Sequence, residues 1–301
     1  MENSKAILKV PGTMEIRPAA MPVLRDEDVL IKVEYVGICG SDIHGFESGP
    51  FIPPKDPNQE IGLGHECAGT VVGIGSKVKK FQIGDKVNIE PGVPCGKCRF
   101  CLEGKYNICP DVDFMATQPN YKGALTKYLS HPESFTYKLP DNMDTMEGAL
   151  VEPAAVGIHA ALLAGVTPGK KIVILGAGCI GLMTLQACKT MGAAEIVVVD
   201  VLKKRLEMAK KLGAMEVIDS SEADTVTECK RILGELGADI VFETAGVQVT
   251  AKLTPQIVMR GGKIMIVGTI PGETPIDFLK INREVSIQTV FRYANCYPTT
   301  I

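Results

Sequence analysis

The sequence contains no long run of basic residues, and its charges nearly balance, with 32 Lys and Arg against 35 Asp and Glu. Electrostatic capture of nucleic acid therefore has no support. No apolar stretch approaches the length needed to cross a bilayer, and the opening MENSKAILKVPG lacks the charged-then-apolar layout of a secretory signal. We therefore expect a cytoplasmic protein whose partner is a small molecule, with no binding to nucleic acid or membrane.

Internal repeats and low-complexity tracts are also absent, and 46% hydrophobic with 22% charged residues is an ordinary globular composition. A chain of 301 residues is too long for one compact core, so two domains are the default expectation. Ten cysteines are many, and four of them cluster. In a reducing compartment, clustered thiols more often bind metal than form disulfides.

The first half of the chain reads as short strands broken by Gly, Pro and Asp. Examples are VLIKVEYVGI at 29–38, CAGTVVGIG at 67–75 and DKVNIEPG at 85–92. Strands of this length with this turn punctuation are typical of a β-rich, barrel-like domain.

From Gly169 onward, six strands rich in Val and Ile alternate with helical segments, one of which is predicted at 223–234. Continuous apolar strands followed by amphipathic helices indicate a parallel sheet that is covered on both faces. Their number and alternation predict a doubly wound dinucleotide-binding fold. The residues 151–168 are predicted to form a helix that joins the two domains.

Four thiols lie in a loop rich in Gly and Pro with the spacing C-x2-C-x2-C-x7-C, at Cys95, Cys98, Cys101 and Cys109. Zinc takes four thiolates in closed structural sites, which leave no position for substrate. Unrelated free thiols and an iron–sulfur cluster are the alternatives, although the ferredoxin spacings differ from this one. The spacing therefore favours a structural zinc.

A second set of possible metal ligands lies upstream, in GICGSDIHG and GLGHECAG. A catalytic zinc uses three protein ligands and keeps one position open, and Cys, His and a carboxylate form a suitable set. Taken alone, each residue is weak evidence for a metal site, because a lone Cys is more often a small buried hydrophobe. A lone His is likewise more often a structural side chain. The candidates are Cys39, Ser41, Asp42, His44, His65 and Glu66.

The glycine motif GAGCIG follows a predicted strand and opens a helix, and comprises Gly176, Gly178, Ile180 and Gly181. Glycines there permit a tight turn and close approach of the backbone to a pyrophosphate. Asp200 ends the next strand and can accept hydrogen bonds from ribose, whereas it would repel the 2′-phosphate of NADP, which favours NAD. Arg205 nearby keeps NADP open as an alternative.

The stretch GHECAGTVVGIGSKV fits the pattern G-H-E-x2-G-x5-G-x2-V throughout and, with the cysteine loop, resembles the zinc-containing medium-chain alcohol dehydrogenases. The resemblance covers essentially the whole chain. It implies an α/β protein that joins a GroES-like β-barrel catalytic domain to a Rossmann domain, and hence an oxidoreductase with NAD and two zinc ions per chain. The implied boundaries are 1–153 for the catalytic domain, 154–293 for the NAD-binding domain, and 294–301 for the start of a return to the catalytic domain.

The same resemblance assigns roles at the reactive metal. It implies that Cys39, His65 and Glu66 hold the catalytic zinc, and that Glu152 binds it directly or through its water. Asp42 would accept an imidazole N–H of His65 and fix its tautomer. Ser41 and His44 match the family's proton relay, although His44 can also be an ordinary loop histidine. His131 and His159 are assigned packing roles only.

In the cofactor domain, the resemblance places Arg205 near the adenosine and Val267, Gly268 and Thr269 along the nicotinamide side. Val290, Phe291 and Arg292 match a further cofactor segment. The family is commonly tetrameric or dimeric, so a homo-oligomer is expected.

Within the family, the chain looks most like the sorbitol (L-iditol 2-) dehydrogenase branch. This implies Phe114, Thr117, Glu152, Arg292 and Tyr293 as substrate residues. Animal sorbitol dehydrogenases have a tyrosine just after the relay histidine, where this chain has Gly45. Dehydrogenases of threonine or butanediol type therefore remain alternatives. Relatives continue past YPTTI, so a truncated, non-catalytic form that still binds zinc and nucleotide is the alternative of another class.

Overall fold

The computed structural model describes residues 2–301, which form two compact units. Unit 1 comprises Met1–Glu152 and Tyr297–Ile301, and unit 2 comprises Pro153–Cys296. Across residues 2–301, no helix combines the length and the apolar character that a membrane crossing requires.

Unit 1 is built mainly from short antiparallel strands. A five-stranded sheet has the order β8-β3-β4-β5-β9, and two-stranded sheets pair β1 with β2 and β6 with β7. The strands are β1 (Asn3–Val10), β2 (Thr13–Ala19), β3 (Asp28–Gly37), β4 (Glu66–Ile74), β5 (Lys86–Ile89), β6 (Gly92–Val93), β7 (Asp113–Phe114), β8 (Tyr128–Pro132) and β9 (Thr136–Lys138). The helices are α1 (Gly40–Ser48), α2 (Arg99–Leu102), α3 (Thr145–Ala149), the start of α4 (Val151–Ala164), and α10 (Tyr297–Thr300).

The core of unit 1 lies on one face of this sheet, where Val29 and Ile31 of β3 pack with Cys67 and Val71 of β4. Alternate residues of a strand point to the same face, which is why the period-2 pattern of the sequence marks them. Gly69 lets β4 approach β3 closely, because a Cβ there would lie 2.0 Å from the carbonyl oxygen of Lys32.

His131 is a fully buried titratable group in unit 1. Its Nε2 lies 2.9 Å from the carbonyl oxygen of Glu90 and therefore donates to it as a neutral imidazole. Burial lowers the pKa of His131 from 6.5 to about 4. Since the unfolded chain takes up this proton near pH 6.5 and the folded chain near pH 4, the folded state is stabilised above pH 6.5. That contribution is lost as the pH falls from 6.5 towards 4.

We expect the free energy of unfolding of a His131→Gln variant to fall less between pH 7 and pH 4 than that of the wild type. Glutamine keeps a donor for the Glu90 carbonyl but does not titrate. A pKa difference of this size corresponds to a few kcal/mol, on the order of 3. Urea unfolding at a series of pH values measures the difference. Parallel pH profiles for both proteins would contradict this account of His131.

Unit 2 is a doubly wound parallel sheet. Its strand order is β12-β11-β10-β13-β14-β15, and every neighbouring pair is parallel. The strands are β10 (Lys171–Leu175), β11 (Glu195–Asp200), β12 (Glu216–Asp219), β13 (Ala238–Glu243), β14 (Val258–Ile266) and β15 (Ser286–Thr289). The helices are α5 (Cys179–Thr190), α6 (Lys203–Leu212), α7 (Thr225–Leu233), α8 (Gln248–Ile257) and α9 (Phe278–Ile281). The predicted six strands and doubly wound fold are confirmed.

This sheet carries core on both faces. On one side Ile172, Ile174 and Phe242 pack in one cluster, and on the other Val173 and Leu175 pack in a second. Successive residues of the same strand are therefore both buried, as parallel strands require. The carboxyl ends of all six strands lie at one edge, which is where ligands bind in sheets of this kind.

Candidate active site and metal centres

The start of α1 fixes the first group of functional side chains. Cys39 precedes the helix, and its backbone N–H donates to Asp42 Oδ2 at 3.0 Å. The other oxygen of Asp42 accepts the backbone N–H of Gly64 at 2.7 Å. This buried carboxylate therefore ties the helix start to the residue that precedes His65, which brings two distant motifs together.

Cys39, His65 and Glu66 form a group whose ligand atoms all lie within 4.8 Å of one another. His65 and Glu66 are buried, at 7% and 5% exposure. Gly37 leaves the room for Glu66, because a Cβ at that position would lie 2.1 Å from Glu66 Oε2. A thiolate, an imidazole and a carboxylate so placed are a suitable ligand set for a catalytic zinc.

The electrostatics of this group favour a bound cation. Burial raises the pKa of Glu66 to about 7, with the nearby Asp42 carboxylate adding to the shift. Burial also raises the pKa of the Cys39 thiol to about 11, and Glu66 and Glu152 push in the same direction. Several anionic groups crowded in a desolvated site are costly unless a positive charge compensates them. A dication supplies that compensation, so the residues present fit zinc.

Asp42 does not make the predicted hydrogen bond to His65. The distance from His65 Nδ1 to Asp42 Oδ1 is 3.8 Å, which is too long for a hydrogen bond. Its oxygens are instead taken up by the backbone N–H groups of Cys39 and Gly64. Asp42 therefore positions the backbone beside two ligands rather than the imidazole itself.

Two further residues that the sequence singled out lie beside this group. Phe114 is buried in β7, and its ring centroid lies 5.6 Å from that of His65. Glu152, in the first turn of α4, is also buried and raises the pKa of Cys39 and Cys67 through its charge. Glu152 does not belong to the three-residue metal group. Thr117 donates from Oγ1 to the carbonyl of Phe114 at 3.2 Å.

The two predicted relay residues lie on α1. Ser41 is exposed and its side chain hydrogen-bonds Cys39. The imidazole of His44 stacks on Phe51, with ring centroids 3.8 Å apart and planes 7° apart. No sequence motif marks Phe51, so its contact with His44 was not predicted. Gly45, the next residue after His44, is buried, and a Cβ there would lie 3.1 Å from Cδ2 of Leu63.

The four clustered cysteines also converge, with all four sulfurs within 4.8 Å of one another. The sulfur of Cys98 lies 3.4 Å from that of Cys101, which lies 3.9 Å from that of Cys95. A tetrahedral zinc with Zn–S bonds of about 2.3 Å separates neighbouring sulfurs by about 3.8 Å. The loop therefore fits a closed four-thiolate zinc site, and its thiols are free of disulfides.

The glycine-rich turn of unit 2 joins β10 to α5. Gly176 has a φ of 106°, and a Cβ at Gly181 would lie 1.9 Å from the Gly176 carbonyl oxygen. Gly178 is the N-cap of α5, no side chain caps the helix, and a Cβ at Gly178 would meet open space. The first N–H groups of α5 are therefore accessible to an anionic ligand such as pyrophosphate. The residues present fit a dinucleotide.

Asp200 ends β11 beside this turn and is 8% exposed. Its Oδ2 accepts the backbone N–H of Ala177 at 2.7 Å, and its Oδ1 accepts that of Leu202 at 2.9 Å. Arg205 Nη1 lies 3.7 Å from Oδ2. A carboxylate has about four acceptor positions, so Asp200 can hold the glycine turn and still accept a ribose hydroxyl.

The remaining predicted cofactor and substrate residues follow β14 and β15. Val267 and Gly268 follow β14 directly, and their N–H groups donate to the carbonyl of Glu243 at 2.8 and 2.9 Å. Val290 follows β15. Arg292 has a φ of 51° and lies over the ring of Phe291, while Tyr293 is buried. These residues belong to unit 2, whereas the metal group belongs to unit 1.

Comparisons with known proteins place both units in one family. Residues 25–141 match the alcohol dehydrogenase GroES-like domain, and residues 179–301 match the zinc-binding dehydrogenase domain. The chain is 77% identical over 301 residues to the zinc-type alcohol dehydrogenase-like protein YdjJ of Escherichia coli strain K12, covering 100% of this chain and 87% of YdjJ. It is 42% identical over 315 residues to the sorbitol dehydrogenase of Bacillus subtilis strain 168, covering 100% of this chain and 85% of that enzyme.

A solved structure has the same fold. A zinc-binding dehydrogenase of Sinorhizobium meliloti 1021 bound to NADP matches with a TM-score of 0.91 at 29% identity, covering 100% of this chain and 87% of that one. The predicted GroES-like and Rossmann architecture is thus confirmed. The chain belongs to the zinc-type alcohol dehydrogenase family, among its alcohol and polyol dehydrogenases.

Proposed function

We propose that this protein oxidises a polyol or another secondary alcohol to a ketose or ketone and transfers the hydride to NAD. The observation that carries the proposal is the group of Cys39, His65 and Glu66, whose ligand atoms lie within 4.8 Å of one another and of which the last two are buried. A mixed set of three ligands leaves a fourth position open at a tetrahedral metal, as substrate chemistry needs. Membership of the zinc-type alcohol dehydrogenase family supports the same reaction.

Two zinc ions per chain are proposed. Cys39, His65 and Glu66 would hold one, and Glu152 would bind it directly or through its water. When bound, this zinc supplies Lewis acidity that lowers the pKa of the alcohol. The second zinc is held by the four clustered cysteines and braces their loop. The proposed ligands of that site are Cys95, Cys98, Cys101 and Cys109.

Ser41 and His44 are proposed to remove the proton that the alcohol must lose before hydride can leave. The Ser41 hydroxyl would accept this proton from the substrate hydroxyl while donating its own proton towards His44, and the His44 imidazole would release a proton to solvent. Both residues lie on α1, and neither is fully buried. The stack on Phe51 holds the His44 ring in one orientation. An imidazole titrates near neutral pH, which suits a group that exchanges protons with solvent.

NAD is the proposed cofactor, and the hydride acceptor it supplies is its nicotinamide. The glycine turn binds its pyrophosphate, and Asp200 binds the adenosine ribose. Arg205 packs near the adenosine, and the segments that follow β14 and β15 line the nicotinamide side. The proposed residues are Gly176, Gly178, Ile180, Gly181, Asp200, Arg205, Val267, Gly268, Thr269, Val290, Phe291 and Arg292.

For the substrate, we propose that Phe114, Thr117 and Glu152 line the reactive end, and that Arg292 and Tyr293 donate hydrogen bonds to further hydroxyls. Donors of this kind discriminate against alcohols that lack the partner oxygens. The similarity to sorbitol dehydrogenase supports a polyol. Threonine and butanediol are the competing substrates, because the same metal and relay residues serve a simple secondary alcohol.

A substrate panel tests the proposal. Sorbitol and related polyols, threonine and 2,3-butanediol are each offered with NAD and with NADP, and NADH or NADPH formation is followed by absorbance. Turnover of a polyol with NAD is the expected result. About two zinc ions per chain with no turnover on any alcohol would instead identify a non-catalytic relative that binds zinc and nucleotide.

We also propose that residues 1–153 act as the catalytic domain, 154–293 as the cofactor domain, and 294–301 as the start of a return to the catalytic domain. The two compact units support this division. A cytoplasmic location stays a prediction, in keeping with clustered thiols that must remain reduced to bind metal.

The protein is further proposed to form a homodimer or tetramer through the edge strand β15. This strand is the last in its sheet, and all four of its residues are exposed. An exposed strand edge presents unpaired backbone groups that a second copy can pair with.

We expect Ile287→Lys to shift the protein towards monomer in sedimentation velocity, whereas Ile83→Lys, at an exposed position of unit 1, leaves the assembly unchanged. Identical sedimentation of wild type and Ile287→Lys would exclude this edge.

A further inference from the structure

Glu243 is a carboxylate buried at the cofactor edge of unit 2 that no sequence motif marked. It ends β13 and is 0% exposed. Its Oε1 accepts three hydrogen bonds, from the N–H of Ala245 at 3.0 Å, from the N–H of Gly246 at 2.9 Å and from the hydroxyl of Thr250 at 2.7 Å. Its Oε2 is buried and has no hydrogen-bond partner within residues 2–301.

The same residue also holds the segment after β14. The backbone carbonyl of Glu243 accepts the N–H groups of Val267 and Gly268. Its Oε2 lies 2.7 Å from the place where a Cβ of Gly268 would stand. The carboxyl group is therefore in close contact with that segment, and only glycine fits beside it.

Thr244, the next residue, reaches the third cofactor segment. Its hydroxyl lies 3.0 Å from the carbonyl oxygen of Leu175 and 2.9 Å from that of Gly176. Glu243 and Thr244 thus contact the glycine turn, the turn and helix start at 245–250, and the segment 267–269. These three segments follow neighbouring strands of the sheet.

Burying a carboxylate is costly unless its bonds repay the loss of water. Here two of the bonds go to the turn that follows β13, at Ala245 and Gly246, and the third goes to Thr250 in the first turn of α8, so that the carboxyl group ties the turn to the helix. When a segment is already ordered in the free protein, less of the binding free energy is lost in ordering it on association. Because Glu243 lies beside three segments that are proposed to bind the cofactor, the order that it imposes would act on the cofactor site.

We propose that Glu243 is a positioning residue for the dinucleotide, which it serves by holding the turn at 244–247, the start of α8 and the segment 267–269 in their binding conformation. Glu243 itself does not touch the cofactor. The inference rests on the proposed NAD-binding function, and it names which side chain sets the shape of that site.

The decisive variant is Thr250→Val, because it conserves shape and removes a hydroxyl that lies 2.7 Å from Glu243 Oε1 and 2.8 Å from the carbonyl oxygen of Val247 in the preceding turn. Thr254→Val is the matched control in the same helix, since the Thr254 hydroxyl donates to the Ala251 carbonyl and not to Glu243. We expect Thr250→Val to raise the Kd for NADH about three- to tenfold, the effect of one hydrogen bond to a charged group. Thr254→Val should leave that Kd within about twofold. Fluorescence titration with NADH measures both.

A second pair of variants tests the carboxyl group itself. Glu243→Gln keeps an oxygen that can accept the loop N–H groups and should stay near the wild-type Kd. Glu243→Met has similar length but no acceptor and should weaken NADH binding more than tenfold. In the nucleotide-free protein, hydrogen exchange at Ala245 and Gly246 should quicken in Glu243→Met and in Thr250→Val, but not in Thr254→Val.

The outcomes separate the inference from the function on which it rests. Equal NADH affinity and equal loop exchange in Thr250→Val and Thr254→Val would overturn the role of Glu243 while leaving NAD binding intact. A wild-type protein that binds no NADH would overturn the proposed cofactor and the inference together. Should Glu243→Met fail to fold, the threonine pair still decides.

Discussion

Replacing Cys39 with alanine is expected to reduce kcat/KM for the alcohol substrate by at least about 10³-fold and to lower the zinc content from two ions per chain to one. The reason is that the sulfur belongs to a group of three close candidate ligands, and a site left with two of them should no longer retain the metal. The Lewis acidity lost with it accounts for several kcal/mol of the barrier. NADH formation and elemental analysis measure the two effects.

Cys67→Ala is the matched control, because this thiol is also buried, lies two residues after His65 and is not part of the metal group. It should retain both zinc ions and most of the activity. Cys98→Ser, in the four-cysteine loop, should also lose one zinc, but with a fall in melting temperature as the loop loses its brace. A Cys39→Ala protein that keeps two zinc ions and full turnover would remove the thiol from the reactive centre.

Replacing Asp200 with alanine is expected to change the ratio of kcat/KM for NAD over NADP by about 10²- to 10³-fold in favour of NADP. A carboxylate placed against a 2′-phosphate costs several kcal/mol, and each 1.4 kcal/mol is about tenfold. Part of the change comes from weaker NAD binding, because Asp200 also holds the N–H groups of Ala177 and Leu202. Initial rates with both cofactors measure it.

Asp200→Asn separates charge from shape. Asparagine removes the negative charge and keeps one acceptor, so it should relieve the rejection of NADP with a smaller loss of NAD activity than alanine causes. Asp200→Glu, which keeps the charge, should still reject NADP. If the ratio of kcat/KM for NAD over NADP is unchanged in Asp200→Asn, the 2′-phosphate does not approach this carboxylate. Arg205 would then be the next residue to substitute.

Much of the fold could be predicted because the sheets impose regular patterns on the sequence. The strands predicted at 29–38 and 67–75 are found at Asp28–Gly37 and Glu66–Ile74. The helix predicted over 151–168 ends earlier, at Ala164. Gly165 adopts a φ of 71°, which stops the helix. An apolar run does not by itself reveal such an end, although the residues beyond it change character: of 165–168, only Val166 is buried.

The metal groups were predictable for a different reason. Cysteines held on one short loop must lie near one another, and the resemblance paired Cys39 with the distant His65. The predicted hydrogen bond from His65 to Asp42 was wrong. Carboxylates next to metal ligands commonly accept an imidazole N–H, whereas both oxygens of Asp42 accept backbone N–H groups. Glu243 and Phe51 were not predicted, because no motif marks them: Glu243 acts on backbone N–H groups and one threonine hydroxyl, and Phe51 makes a ring contact with His44, and neither kind of contact has a sequence signature.

The crowding at Gly45 has a consequence for anyone who would redesign this enzyme. A side chain there would press against Leu63, whose Cδ2 already stands 3.1 Å from the nearest possible Cβ. Placing the tyrosine of the animal enzymes on this helix therefore requires the Leu63 side chain to move by a few tenths of an ångström for the Cβ alone. Libraries that vary positions 45 and 63 together are therefore expected to yield more folded variants than libraries that vary either position alone.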